Sequence, residues 1–205
     1  MATSERPYRG RSAPSRRADR RKKLLEAGLD LLASRGWRGA TMTAICANAN
    51  LTERYFYESF RNRDELLVTV IDGIADEIRT VTLAAMEAAD GDPREQIRAG
   101  IDAFINLIAT DPRKGRAAII ESAAAEPLRT RRRELLHDFA RLIAAQSRKL
   151  YGEEALPPTR AHINGVLLAG GLAELVTAWL NGEMRANPED IAVTVTSFFA
   201  NTTKR

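Results

Sequence analysis

Apolar residues in this chain return every three or four positions, and no stretch alternates apolar with polar in the two-residue rhythm of a half-buried strand. One stripe is Leu24, Gly28 and Leu31, with Leu25, Leu29 and Leu32 beside it. A second is Leu66, Leu67, Val70, Ile74, Ile78 and Val81. A third is Ile97, Ile101, Phe104, Ile105 and Ile108. Breakers stand between the stripes: Gly36, Asn50, Asp90–Pro93, Asp111–Gly115, Pro157–Pro158 and Asn181–Pro188. A chain written this way can only pack helix against helix, so the expected fold is all-α with about nine helices.

The breakers divide the chain finely near its start. A helix from Asp19 should stop at Gly36, because glycine accepts the left-handed backbone at low cost. Thr41 can cap the next helix, whose apolar face is Met42, Ile45, Cys46 and Ala49. Asn50 stands where a tight turn needs φ > 0, and Thr52 can cap another short helix. Residues 41–60 therefore read as helix, short turn, helix, the spacing of a helix-turn-helix. Beyond Asn62, another candidate cap, a long helix runs to about Ala89. Further helices are expected over Arg94–Thr110, residues 115–125, Pro127 to about Tyr151, Thr159–Leu180, and Pro188 to about Thr202.

Charge is unevenly placed. Residues 1–23 hold nine Lys/Arg against Glu5 and Asp19, while the whole chain has a net charge of +4, so the remainder is mildly acidic. A basic end on an acidic body suits a polyanionic partner. The Pro-, Ser- and Arg-rich residues 1–16 read as a disordered basic arm. The start of the chain is charged and lacks the apolar core of a secretory signal. No uninterrupted apolar run approaches about 18 residues, so no membrane partner is expected. The single cysteine, Cys46, forms no intramolecular disulfide and fits a reducing compartment. The expected location is cytoplasmic.

The stretch ERYFY, Glu53–Tyr57, sets three rings in succession. Neighbours on a helix diverge by about 100°, so the rings cannot share one core. Phe56 and Phe60, four apart, can pack inward together. Glu53, Arg54, Tyr55, Tyr57 and Ser59 are then left outside. Such a face suits a DNA major groove: arginine can read a guanine edge, and tyrosine can reach a phosphate or a thymine methyl. The helix starts at Thr41 and Thr52 offer backbone N–H groups to phosphates.

Leu24–Leu67 resembles the DNA-binding head of the TetR family of transcriptional regulators. The matching pieces are Gly36, Thr41, Ile45-Cys46, Ala49-Asn50, Leu51-Thr52, Phe56-Tyr57, Ser59-Phe60, Arg63 and Leu66-Leu67. The resemblance implies phosphate contacts by Thr52, Tyr57 and Arg63, base-edge contacts by Glu53, Arg54 and Tyr55, and a place at the groove edge for Thr43. Asn50 replaces the family's turn glycine, and Ser59 replaces its histidine, which weakens any phosphate contact there. The Arg16–Lys23 run could add a flexible arm. The expected domains are the arm 1–16, a three-helix DNA-binding head over 17–63, and a larger helical domain over 64–205.

The resemblance implies that the larger domain binds a small-molecule effector and forms a homodimer through its last two helices. The stretch 159–180 is apolar nearly all round and must be buried on both sides. Leu168, Leu172, Leu175 and Trp179, with Val195 and Phe198, are the candidate dimer contacts, and Gly170 and Gly171 would let a partner helix come close. Candidate effector contacts are Phe104, Ile108, Phe139 and Ile143, with Ile120 and Val166 beside them. Glu121 and Asn164 are the candidate polar anchors, and Gln146 and Glu174 are further ones. His137 and His162 lack metal-ligand spacing, and no Gly-rich phosphate loop appears, so neither cofactor nor enzymatic activity is expected. The reading is a ligand-released repressor of a palindromic operator. Its rivals are an effector-independent architectural DNA binder and, more remotely, an α-helical enzyme.

Overall fold

A computed structural model describes residues 13–204. Most of them are helical, and the only β pairing among them is one antiparallel bridge, Ala155 to Lys204. The α-helices are α1 (Ala13–Gly39), α2 (Met42–Asn48), α3 (Glu53–Tyr57), α4 (Arg63–Ala88), α5 (Pro93–Thr110), α6 (Pro112–Gly115), α7 (Ser122–Ala124), α8 (Glu126–Tyr151), α9 (Pro158–Leu180) and α10 (Pro188–Thr202). A π-helical turn, Arg116–Glu121, joins α6 to α7. Two compact units meet within α4, between Val70 and Ile71.

The first unit forms around fully buried Leu24, Leu32, Ile45, Phe56, Leu66 and Leu67. Its punctuation follows the breakers. Gly36 takes φ +65° and kinks the end of α1. The Thr41 hydroxyl accepts from the Ala44 N–H at 3.2 Å and caps α2. Asn50 takes φ +52°, the left-handed geometry the turn requires. At the start of α4, Asn62 Oδ1 accepts from the Glu65 N–H at 2.8 Å, and Glu65 Oε2 accepts from the Arg61 N–H at 2.7 Å. Two orphan donors are thus satisfied reciprocally, as in a capping box. Thr52 differs from expectation: it has cap geometry, yet its side chain makes no cap hydrogen bond.

The expected basic arm lies outside the described residues from 1 to 12, and residues 13–16 form the first turn of α1. The Arg16–Lys23 run is helical rather than a free arm, because α1 extends back through it.

In the second unit, Asp92 caps α5 by accepting from the N–H groups of Arg94 and Glu95. The inward residues of α5 are those the period selects: Ile97, Ile101, Phe104, Ile105 and Ile108 are buried. Gly165 of α9 lies directly against the Ala140 carbonyl of α8, an approach any Cβ would block. Arg98 ties α5 to α10 through Glu189 at 2.6 Å, and Arg131 ties α8 to α4 through Asp72 at 2.7 Å. Residues 115–125 depart from simple helix, because the π-helical turn inserts an extra residue per turn, and a 3-10 turn at Gly152–Glu154 follows α8. By length and composition α9 could also cross a membrane, and 28% of its most apolar window is buried within the chain. The apolar run in α9 is broken by Asn164, Glu174 and Thr177, which do not make the helix polar as a whole.

Candidate nucleic-acid interface and effector cavity

The five residues of α3 divide sharply. Phe56 is fully buried, edge-on to Tyr57 at 5.7 Å and tilted against Phe60 at 5.8 Å between ring centroids. Arg54 is 86% exposed along its side chain, and Tyr57 is 58% exposed. Glu53 and Thr52 are exposed beside them, as are Thr41 and Thr43 on α2. A short helix cannot hold itself in place, so the buried rings must fix the direction of the exposed ones.

The basic residues of α1 have a part the sequence did not disclose. Arg17 donates to the Glu58 carbonyl, and Arg21 donates to the Ser59 carbonyl at 3.2 Å. Arg20 pairs with the Glu58 carboxylate at 2.9 Å, and its guanidinium lies 4.4 Å over the Tyr55 ring. Arg21 lies 4.3 Å over Phe60. Cations gather at the unsatisfied carbonyls that end α3, where they offset the negative end of the helix. Sequence spacing could not reveal this, since the partners stand about forty positions apart.

Three expected DNA contacts are altered as a result. Tyr55 is half-buried beneath Arg20. Arg63 stacks on Trp37 at 4.0 Å, donates to the Trp37 carbonyl, and pairs with Asp64 at 3.2 Å, so its guanidinium is already engaged. The Ser59 hydroxyl is buried with no hydrogen-bond partner. Cys46 is buried in the same unit. Burial first, and the nearby Glu53 charge second, raise its thiol pKa and keep it protonated.

The second unit contains a cavity of about 200 Å³, walled by α4, α5, α8, α9, α10 and the π-helical turn. Of the expected effector contacts, Phe104, Phe139 and Ile143 line it, together with Gln146. Ile108 does not: it is fully buried and packs beside Gly115. Glu121, Asn164, Ile120 and Val166 do not line it either. The lining that periodicity missed includes Thr82, Met86, Leu135, Arg132 and Phe199. A helical stripe says which residues turn inward, but not which of them leave a gap.

The expected dimer residues also separate. Leu168 and Val195 are buried within the chain itself, and Leu172 lines the cavity. Leu175 and Trp179 are half-buried, and the Trp179 indole donates to the Ala186 carbonyl at 3.1 Å. Phe198 is 59% exposed. The apolar surface left open on α9 and α10 is Ile163, Val166, Leu167, Val193 and Phe198, with Leu167 66% exposed. Gly170 and Gly171 on α9 face open space.

Residues 24–70 match the model of the bacterial regulatory proteins of the tetR family. The chain is 28% identical over 119 residues to the HTH-type transcriptional activator FasR of Mycolicibacterium smegmatis, covering 58% of this chain and 53% of the relative. It is 31% identical over 80 residues to the HTH-type transcriptional regulator BetI of Rhizobium meliloti, covering 39% of each. The chain thus matches about half or less of these curated relatives. In fold it is similar to a transcriptional regulator of Pseudomonas aeruginosa, with TM-score 0.75 and 20% identity over 93% of this chain and 91% of that one.

Proposed function

We propose that this chain, whose head and fold make it a TetR-family transcriptional regulator, is a homodimeric, cytoplasmic repressor that leaves a palindromic operator when a small molecule enters its cavity. The observation that carries this reading is the face of α3: Arg54 and Tyr57 stand outward on a helix anchored by Phe56 and Phe60. Arg54 is the base reader, with Glu53 beside it. Tyr57, Thr52 and Thr43 contact the phosphates and the groove edge, and the half-buried Tyr55 adds to the base contacts. Arg63 and Ser59 act from within the head by holding its parts together.

The open apolar face of α9 and α10 supports dimerisation. Ile163, Leu167 and Phe198 form a surface that water solvates poorly, and a second copy would cover it through the same face. Two heads of one dimer then read half-sites about 34–36 Å apart. Covering this face also accounts for a helix as apolar as α9 without a membrane. The cavity favours an effector-responsive regulator over an architectural DNA binder, which has no use for an empty interior. Helix α4 begins in the head and carries Ala75, Ile78 and Thr82 of the cavity wall, so it can link effector binding to the head. A coupling of about 1–3 kcal/mol is the usual scale for such control.

Selection from a pool of randomised duplexes, followed by fluorescence anisotropy on the winning sequence, tests the reading. The expected product is a palindrome bound by two chains. Recovery of no common sequence, or equal binding of the palindrome by Arg54→Ala, rejects it. A transcription assay on that palindrome tests the sign of control; activation rather than repression would align the chain with the activator named above.

A further inference from the structure

The cavity wall is almost wholly apolar, so its few polar groups identify what it is built to hold. Resting on the effector reading above, we propose that the ligand is an amphiphile with a carboxylate head and an apolar body, its head held by Arg132.

Arg132 lines the cavity, is half-buried, and makes no ion pair. Two other arginines of α8 are committed elsewhere. Arg131 pairs with Asp72 and Glu134, each at 2.7 Å, and Arg129 pairs with Glu126. Arg132 instead donates through Nε to the Ile119 carbonyl at 3.3 Å. Ile119 lies within the π-helical turn, and that carbonyl holds the guanidinium by one edge. The two Nη groups have no acceptor among the described residues. A planar fork held by one edge, with its other edge free, matches a carboxylate in two parallel hydrogen bonds.

The apolar body follows from the remaining wall. Phe104, Leu135, Phe139, Met86 and Phe199 offer rings and flexible aliphatic groups but no charge. One buried group is left unsatisfied: the Thr82 hydroxyl has no partner, although Thr69 and Thr80 of the same helix donate to carbonyls one turn earlier. A buried hydroxyl without a partner costs free energy in an apolar wall. It gives a ligand in the cavity a second polar group to satisfy.

Displacement of a neutral, environment-sensitive naphthylamine dye from the full chain tests the proposal, with dodecanoate and dodecanol as paired competitors. Dodecanoate is expected to bind about tenfold or more tightly than dodecanol. In Arg132→Gln the preference should vanish, chiefly through weaker dodecanoate binding. The ratio of the two competitors within one protein is the readout, so a general loss of stability in the variant does not mimic the result. If Arg132→Gln fails to fold, Arg132→Lys replaces it and should retain only part of the preference, because an ammonium cannot form the paired fork. Equal competition by acid and alcohol in the wild-type protein overturns the head-group assignment and leaves the effector reading intact. Failure of dye and both competitors to bind overturns both.

Discussion

The head and the body of this chain handle apolar surface in opposite ways. In the head, the core residues Leu24, Ile45, Phe56 and Leu66 are closed off, and what remains outside is polar or amphipathic: Arg54, Glu53, Tyr57. In the body, apolar surface is left uncovered twice, once around the cavity and once along Ile163, Leu167 and Phe198. A closed core makes a rigid platform for a rigid partner, whereas uncovered apolar surface is where binding free energy is still to be gained. The difference teaches where each unit does its work. On the proposed reading, the head acts on its outside, and the body acts through what fills or covers it.

Substitutions can break this contrast, beginning with the largest effect. Phe56→Ala should cost the head about 3–5 kcal/mol, since it removes a fully buried ring that also positions Tyr57. Denaturant titration of the full chain should show the head melting separately, with DNA binding lost. Leu167→Asp tests the open face. It should leave the monomer fold intact, because Leu167 is exposed, and weaken self-association by about 2 kcal/mol or more. Sedimentation equilibrium reads the shift from dimer to monomer. If Leu167→Asp unfolds the chain instead, the face belongs to the chain's own core and the contrast fails.

Arg54→Ala should lose about 1–3 kcal/mol of specific DNA affinity at an unchanged melting temperature, because its side chain contributes little to the head's core. The paired caps sharpen the comparison within the head. Thr41→Ala should cost about 1 kcal/mol of stability, as its hydroxyl accepts from Ala44. Thr52→Ala should barely change stability, since Thr52 makes no cap bond, but should weaken DNA binding if the hydroxyl serves phosphate. The smallest effect is in the body. The Arg113 guanidinium beside Asp111 lowers its carboxyl pKa, outweighing the opposite effect of burial. A lowered folded pKa contributes stability that is fully present above the unfolded value of about 3.9 and is lost as pH falls through the folded value. Asp111→Asn should therefore lower stability at neutral pH and flatten the acid limb of a stability–pH curve below about pH 4, where variant and wild type converge.

Much of the fold was legible because its determinants are local. Gly36 and Asn50 adopt positive φ where the turn chemistry places them, Thr41 and Asn62 cap their helices, and the stripe on α5 is the buried stripe. Part of the outward set on α3 was legible too, since three consecutive rings cannot face one way: Glu53, Arg54 and Tyr57 are exposed, whereas Tyr55 is half-buried and the Ser59 hydroxyl is buried. The contact of Arg63 with Trp37 was not legible, because the two lie 26 positions apart, where no local spacing rule applies. Arg17, Arg20 and Arg21 were read as an arm because a run of charge looks solvated until a helix end is brought beside it. In the body, periodicity marked Leu168, Leu172 and Val195 as apolar but did not disclose that Leu168 and Val195 are buried within the chain and Leu172 lines the cavity.

By itself, the sequence determined helix type, helix ends and the polarity of each face, because these depend on residues within a turn or two of one another. Only the tertiary structure decided which apolar faces meet, where they leave a void, and which arginine enters it unpaired. Those outcomes depend on volumes and charges contributed by helices far apart in the chain. Close packing resolves them collectively, and no single stripe carries the answer.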